Sequence, residues 1–234
     1  MDIDLSVTKK QNEFLNADCD EVLYGGAAGG GKSYGQIIDS FLKAMTYPGI
    51  KQLILRTSFP ELERSLIMVA LEVIPRGLYK YNASKHVMTF INGSRIEFGY
   101  LANDSAVTMY QSAEYDIIRF DELTHFTREE YEFLKSRNRA NGPGTRCYIR
   151  STANPGGIGH GWVKERFIDA GRAGETLWER VEVNMPGGEK ITKWMSRVFI
   201  QATLFDNPAL LSNDPNYLTR LASLPSAERE ALLY

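Results

Sequence analysis

The sequence predicts an α/β fold, a mostly parallel central sheet with helices on both faces. Three observations carry that expectation. Extended runs alternate with helical periodicities: Glu21–Tyr24, then Ile37, Ile38, Phe41, Leu42 and Met45, then Lys51–Arg56, then residues 61–74. The glycine-rich stretch Gly25-Gly26-Ala27-Ala28-Gly29-Gly30-Gly31-Lys32-Ser33 joins the first strand to the first long helix and, read from Gly26, satisfies G-x-x-x-x-G-K-[ST]. A second apolar strand, residues 116–120, ends in the acidic pair Asp121-Glu122. Strand–helix alternation around a P-loop needs a sheet covered on both sides.

The chain opens with a short helix over residues 8–16 leading into the first strand. Gln11, within it, either presents its amide to an adenine, donating and accepting at once, or is an exposed helix glutamine; spacing leaves the two even. The glycine loop comes next. A strand, a glycine loop and a helix N-terminus point backbone N–H groups at one place, which suits an anionic phosphate. Gly26, Ala27, Ala28, Gly29, Gly30 and Gly31 would supply that cradle, Lys32 would reach the β- and γ-phosphates, and the Ser33 hydroxyl would ligate Mg²⁺. The bland alternative is a flexible turn beside a chance Lys-Ser, which the flanking strand and helix disfavour.

Pro48-Gly49 marks a turn, Lys51–Arg56 a buried strand, and Ser58 a cap for the helix that ends at Pro75. Residues 87–91 and 94–98 flank Asn92-Gly93, the preferred two-residue hairpin turn, so an antiparallel, peripheral hairpin is expected. Tyr79, Lys80, Tyr81, Lys85, His86 and Arg95 make this stretch aromatic and basic; a solvated hairpin face explains them better than a nucleic-acid contact.

Asp121 at a strand end reads as the Walker B aspartate holding Mg²⁺ through water, and Glu122 as the base that polarises an attacking water. Alone, the pair could be an acidic cap; with the P-loop upstream it is a second catalytic signal. Arg119 stands out, because a charge inside a central strand requires a partner. Thr127 and Glu130 form a capping box for a helix reaching about Arg139, Asn141–Gly144 breaks the chain, and residues 146–150 resume as a strand. That strand ends in Ser151-Thr152-Ala153-Asn154-Pro155, where Asn154 can place an amide near the γ-phosphate. A helix (162–170), an extended run (177–183), a loop at Pro186–Gly188, a last strand (197–204) and a mixed helical tail from Asp214 follow. The expected division is a P-loop core over residues 1–176, then a final core strand and a small C-terminal lid over 177–234.

At 234 residues, with 43% hydrophobic and 24% charged residues, the chain has room for one large α/β domain. A net charge of −2 leaves any nucleic-acid contact to local patches. Cys19 and Cys147 form no metal-ligand spacing and no disulfide framework, and no run is long and apolar enough to span a membrane.

Leu23–Ser33, Phe120–Phe126, Ser136–Arg139, Thr152–Gly157 and Ala202–Pro208, in that order and covering nearly the whole chain, resemble the ATPase domain of tailed-bacteriophage large terminase subunits. The resemblance implies an ASCE-type P-loop fold using ATP and Mg²⁺, and a motor that drives double-stranded viral DNA through a portal into a procapsid. It further implies a pentameric ring (a monomer for the isolated domain), a small terminase subunit as partner, no membrane, and residence in the host cytoplasm. It matches Gln11 to an adenine-side glutamine and Thr152-Ala153-Asn154 to a coupling motif. Two departures matter. Many members carry a P-loop arginine where Ala28 stands, and others a trans-acting arginine around Gln111-Ser112, so the finger falls to Arg137 or Arg139, or else these two complement a helix C-terminus. Full-length members also carry a nuclease after the motor; the chain stops near where it would begin, which implies no DNA cleavage. The competing classes are a small-molecule kinase on a P-loop scaffold and a nucleotide-dependent DNA-binding scaffold. Glu122 after Asp121, with no arginine-rich lid following the P-loop, disfavours the first; Glu122 together with Asn154 disfavours the second.

Overall fold

The computed structural model describes residues 6–27, 29–102, 104–140 and 145–223. Their strands are β1 (Glu21–Gly26), β2 (Lys51–Arg56), β3 (Tyr79–Asn82), β4 (Val87–Phe90), β5 (Arg95–Tyr100), β6 (Ile117–Phe120), β7 (Tyr148–Ala153), β8 (Thr176–Asn184) and β9 (Lys190–Ala202). They form one nine-stranded sheet in the order β3-β4-β5-β2-β6-β7-β1-β9-β8. From β5 to β9 every neighbouring pair is parallel; the β3-β4-β5 edge and the β9-β8 edge are antiparallel. Apolar clusters flank the parallel strands: Leu53, Leu55, Ile118, Phe120, Phe126 and Tyr131 in one, and Ile37, Phe41, Ile54, Leu66, Ile96 and Phe98 in another. The carboxyl ends of β1, β6 and β7 therefore lie side by side, where ligands of open parallel sheets bind.

Local signals translate directly into helix ends. Thr8 and Gln11 form a reciprocal capping box for the helix Lys9–Asn16, and Thr127 with Glu130 forms another for Arg128–Lys135. The helix expected over 61–74 runs from residue 59 to 73 with a π-helical stretch at Glu63–Ile67. A second π stretch, Lys164–Ile168, continues the helix His160–Val163.

The hairpin differs from expectation in two ways. Its loop spans four residues: Phe90 N–H bonds Ser94 O and Gly93 N–H bonds Phe90 O. Asn92 Nδ2 donates to Ala44 O on the P-loop helix, so Asn92 anchors the loop to the body. The second strand, β5, also pairs in parallel with β2, so only β3 and β4 are peripheral. The last strand begins at Lys190, seven residues before the expected 197, and ends at Ala202. Its first half pairs with β8 in an exposed two-stranded ribbon, where no core face imposes an apolar alternation. The described part of the tail holds helices Pro208–Asn213 and Tyr217–Ala222; Leu210, Leu211, Tyr217 and Leu221 pack with Ala27 of the P-loop and Leu204. The Asn141–Gly144 break and the tail beyond Ser223 lie outside the described residues.

Arg119 finds its partner. It is fully buried, and its guanidinium donates to Asp39 Oδ2 at 2.6 Å and to Gln52 Oε1 at 2.9 and 3.2 Å. Asp39 belongs to the P-loop helix Lys32–Thr46 and Gln52 to β2, so this buried ion pair ties that helix to the strand carrying Asp121. Removing either charge alone would leave the other uncompensated.

Candidate active site

β1 delivers the chain to the P-loop, and β9 fixes its turn: Ala27 N–H bonds Ala202 O at 2.9 Å. Gly26 has φ +125°, and a Cβ there would stand 2.2 Å from Ala202 O, so only glycine fits. Gly31, at φ +71°, is the N-cap of the helix that begins with Lys32 and Ser33. Gly29, Gly30, Gly31, Lys32 and Ser33 face a cavity of about 330 Å³ that Glu122 and Asn154 close from the other side. Ala28 lies outside the described residues. An adjoining cavity of about 450 Å³, bordered by Val7, Thr8, Gln11, Tyr34, Asn207 and Pro208, shares Gly31, Tyr34 and Asn207 with the first. Together they offer a glycine-lined compartment of polyphosphate size and a neighbouring one of base size.

The carboxylates converge on the P-loop. Asp121 Oδ1 accepts from Thr152 Oγ1 at 2.6 Å and from Ser33 Oγ at 3.3 Å, and Asp121 Oδ2 accepts from Arg56 Nη1 at 2.9 Å. Ser33 and Asp121 thus present neighbouring hard oxygen ligands, the donor type Mg²⁺ takes. Glu122 has left-handed backbone, φ +58°, unusual for a residue with a Cβ and a form of strain that concentrates at functional sites. Asn154 grips its carboxylate twice, by the backbone N–H to Oε2 at 2.9 Å and by Nδ2 to Oε1. Asn154 Oδ1 is buried and accepts no hydrogen bond among the described residues.

Burial shapes the electrostatics. It pushes the Lys32 ammonium down to about 8, against the pull of Glu122 and Asp121. It raises the Glu122 carboxyl, as does the Asp121 charge, while the Asn154 N–H, Lys32 and Arg56 oppose the rise. A carboxylate of raised basicity beside a buried lysine suits proton abstraction from water. Lys32 Nζ meanwhile folds onto the carbonyls of Ala27 and Gly26.

One chain therefore brings together Lys32, Ser33, Asp121, Glu122, Thr152 and Asn154, with Gln11 against the loop. It does not bring Arg137 or Arg139 to them. Tyr115 N–H bonds Arg137 O and Arg139 N–H bonds Tyr115 O, at the amino-terminal end of β6. At ~3.3 Å per residue, Tyr115 lies roughly 20 Å along the strand direction from Asp121. Arg137 Nη1 donates to Gln111 O at 2.6 Å and its Nε to Ser136 Oγ, at the C-cap of the helix Arg128–Lys135, while Arg139 pairs with Glu114 at 3.1 Å. Arg56 is the arginine within the site. Its place at the end of β2, on the next strand to β6, was the available sequence signal, and only the strand order makes it decisive.

The profile of phage terminase large subunits matches residues 17–216. The chain belongs to the phage terminase large subunit family. Comparison with individually curated proteins gives no match. Among solved structures, the large terminase of a thermophilic bacteriophage is similar with a TM-score of 0.72 at 16% identity, over 98% of this chain and 53% of that one. The same protein in complex with ADP gives 0.71 at 15% identity, over 97% and 52%. The large terminase ATPase domain of Thermus phage P74-26 gives 0.64 at 13% identity, over 97% and 92%. At these identities the likeness is one of fold, and it bears out the ASCE-type P-loop architecture. This terminase chain spans about half the length of the first of these proteins. Among its described residues no helix is long and apolar enough to cross a membrane.

Proposed function

We propose that this chain is an ATP-hydrolysing motor domain that drives double-stranded viral DNA into a procapsid. The observation that carries the reading is the phosphate-sized cavity framed by Lys32 and Ser33 on one side and by Glu122 and Asn154 on the other. Lys32 and the loop N–H groups hold the polyphosphate. Ser33 and Asp121 would hold Mg²⁺, which neutralises charge on the β- and γ-phosphates. Glu122 takes a proton from a water that attacks the γ-phosphorus in line, the bond to the β-phosphate oxygen breaks, and ADP and phosphate result. Because Asn154 occupies both Glu122 oxygens, a γ-phosphate that draws Nδ2 to itself releases one oxygen for that water. This makes Asn154 the γ-phosphate sensor and Thr152, bonded to Asp121 and to the Glu122 N–H, its link to the metal side.

The expected partners are double-stranded DNA, the portal and procapsid, and a small terminase subunit, with five copies in a ring in the host cytoplasm and a monomer in isolation. Residues 1–176 form the core in this reading and 177–234 the final core strand and lid. Phosphate release from MgATP should rise when DNA and procapsids are added together, with no small acceptor phosphorylated. Phosphorylation of an acceptor would select the kinase alternative, and nucleotide binding without turnover the scaffold.

The position of Arg137 supports a role in trans. Its exposed guanidinium sits on the carbonyl of Gln111, where the family resemblance places a trans-acting arginine. An arginine delivered to the γ-phosphate is worth about 10³–10⁵ in rate. A Glu122→Gln subunit, inactive but arginine-bearing, should therefore restore hydrolysis to an Arg137→Ala/Arg139→Ala subunit under assembling conditions. Confirmed assembly without returning activity would remove this pair and leave Arg56 as the arginine of the site.

A further inference from the structure

Three consecutive P-loop carbonyls are each held by a side chain from a different part of the fold. Asn207 Nδ2 donates to Gly29 O at 2.6 Å, the Tyr24 hydroxyl to Gly30 O at 3.2 Å, and Gln11 Nε2 to Gly31 O at 2.8 Å. We propose that Asn207, Tyr24 and Gln11 are a carbonyl brace that presets the P-loop for polyphosphate, with Gln11 acting through the loop. The inference rests on the nucleotide-site reading above and goes beyond it by giving Gln11, Asn207 and Tyr24 a task.

A loop that cradles anions must turn successive N–H groups one way, which sends its carbonyls the other way, where each needs a donor. The brace supplies those donors. Each bracing side chain is itself fixed. Tyr24 is fully buried and its ring stacks on Phe14 at 5.2 Å between centroids. Asn207 Oδ1 accepts the Leu210 N–H as the cap of the helix Pro208–Asn213. Gln11 is 3% exposed, and its Oε1 accepts the Thr8 N–H at 2.8 Å in the capping box. Both ends of the Gln11 amide are thus engaged, one by its own helix and one by the loop. The fit is close: a Cβ on Gly31 would stand 2.5 Å from Gln11 Nε2, and one on Gly35 3.1 Å from Gln11 Cγ. The same Gly31 carbonyl accepts the Gly35 N–H in the first turn of the P-loop helix, so Gln11 ties the loop to the start of that helix. The neighbouring base compartment is bordered by Val7, Tyr34 and Pro208 as well as by Gln11.

The test is a pattern across ligands. Mg²⁺-dependent binding of ADP, GDP and base-free tripolyphosphate is measured by calorimetry on the whole chain and on Gln11→Met, Tyr24→Phe and Asn12→Gly. Gln11→Met keeps the volume and loses the amide; Tyr24→Phe deletes one hydroxyl beneath the loop and keeps the stack on Phe14. Each should weaken all three ligands by a common factor of roughly three to ten, the worth of one hydrogen bond, with the ADP-to-GDP ratio unchanged. Asn12→Gly loosens the same helix on its exposed side without touching the Gly31 bond and should bind tripolyphosphate as the parent does. Loss confined to ADP in Gln11→Met would make Gln11 a base reader, and unchanged tripolyphosphate binding in Gln11→Met or Tyr24→Phe would remove the brace. Asn12→Gly weakening as much as Gln11→Met would reduce the effect to helix stability and overturn the proposal. Failure of the parent chain to bind any of the three ligands would instead overturn the nucleotide site itself.

Discussion

Glu122→Gln should bind ATP as tightly as the parent chain and hydrolyse it ~10²-fold or more slowly, the range general-base removal produces. The substitution suits the site's geometry. A glutamine keeps the size of Glu122, and its carbonyl oxygen can still accept one of the two hydrogen bonds from Asn154. The remaining amide nitrogen would face an Asn154 donor, so the clasp loosens while the cavity wall stays in place. What is lost is the basicity that burial and the neighbouring Asp121 charge have raised. Single-turnover hydrolysis beside equilibrium binding of a fluorescent ATP analogue separates the two effects. Hydrolysis at the parent rate would mean that another group takes the proton, and the assignment of Asp121-Glu122 as a Walker B pair would fall with it.

Lys32→Ala should lose nucleotide binding as well as turnover, with affinity for ADP down by roughly 10–10²-fold, the scale of one or two charge-assisted hydrogen bonds. Lys32 is 6% exposed, and holding its ammonium there already works against solvation, as its depressed value of about 8 records. Its present partners are loop carbonyls and, through space, the Glu122 and Asp121 charges. Relief of the buried ammonium and loss of these partners oppose each other, so the variant should melt close to the parent. Lost binding with an unchanged melting temperature assigns the effect to the missing phosphate counter-charge. Retained ADP affinity would mean that the loop N–H groups alone hold the polyphosphate.

Much of this was legible in residue order because the chemistry is local. A phosphate cradle needs glycines, a lysine and a hydroxyl at set spacing on one strand–loop–helix unit, so residues 25–33 declare themselves. Asp121-Glu122 closes an apolar strand, and the Thr127–Glu130 box satisfies its own helix end within four residues. The alternation of strands and helices sufficed for a parallel sheet. Signals weakened where pairing rather than burial makes a strand. The outer half of β9 presents no buried apolar face, and Asn92 looked like a tight-turn residue until its side chain reached Ala44.

Tertiary structure alone decided the rest, because those facts depend on which strand lies beside which. The order β2-β6-β7-β1 sets Arg56 on Asp121 and Asn154 on Glu122, contacts spanning 65 and 32 residues of sequence. The same packing gave the buried Arg119 its Asp39, and placed Arg137 and Arg139 at the far end of β6 from the site. It also turned Gln11 toward the Gly31 carbonyl. A side chain's residue type states what it can bond to; only the fold determines which partner comes within reach.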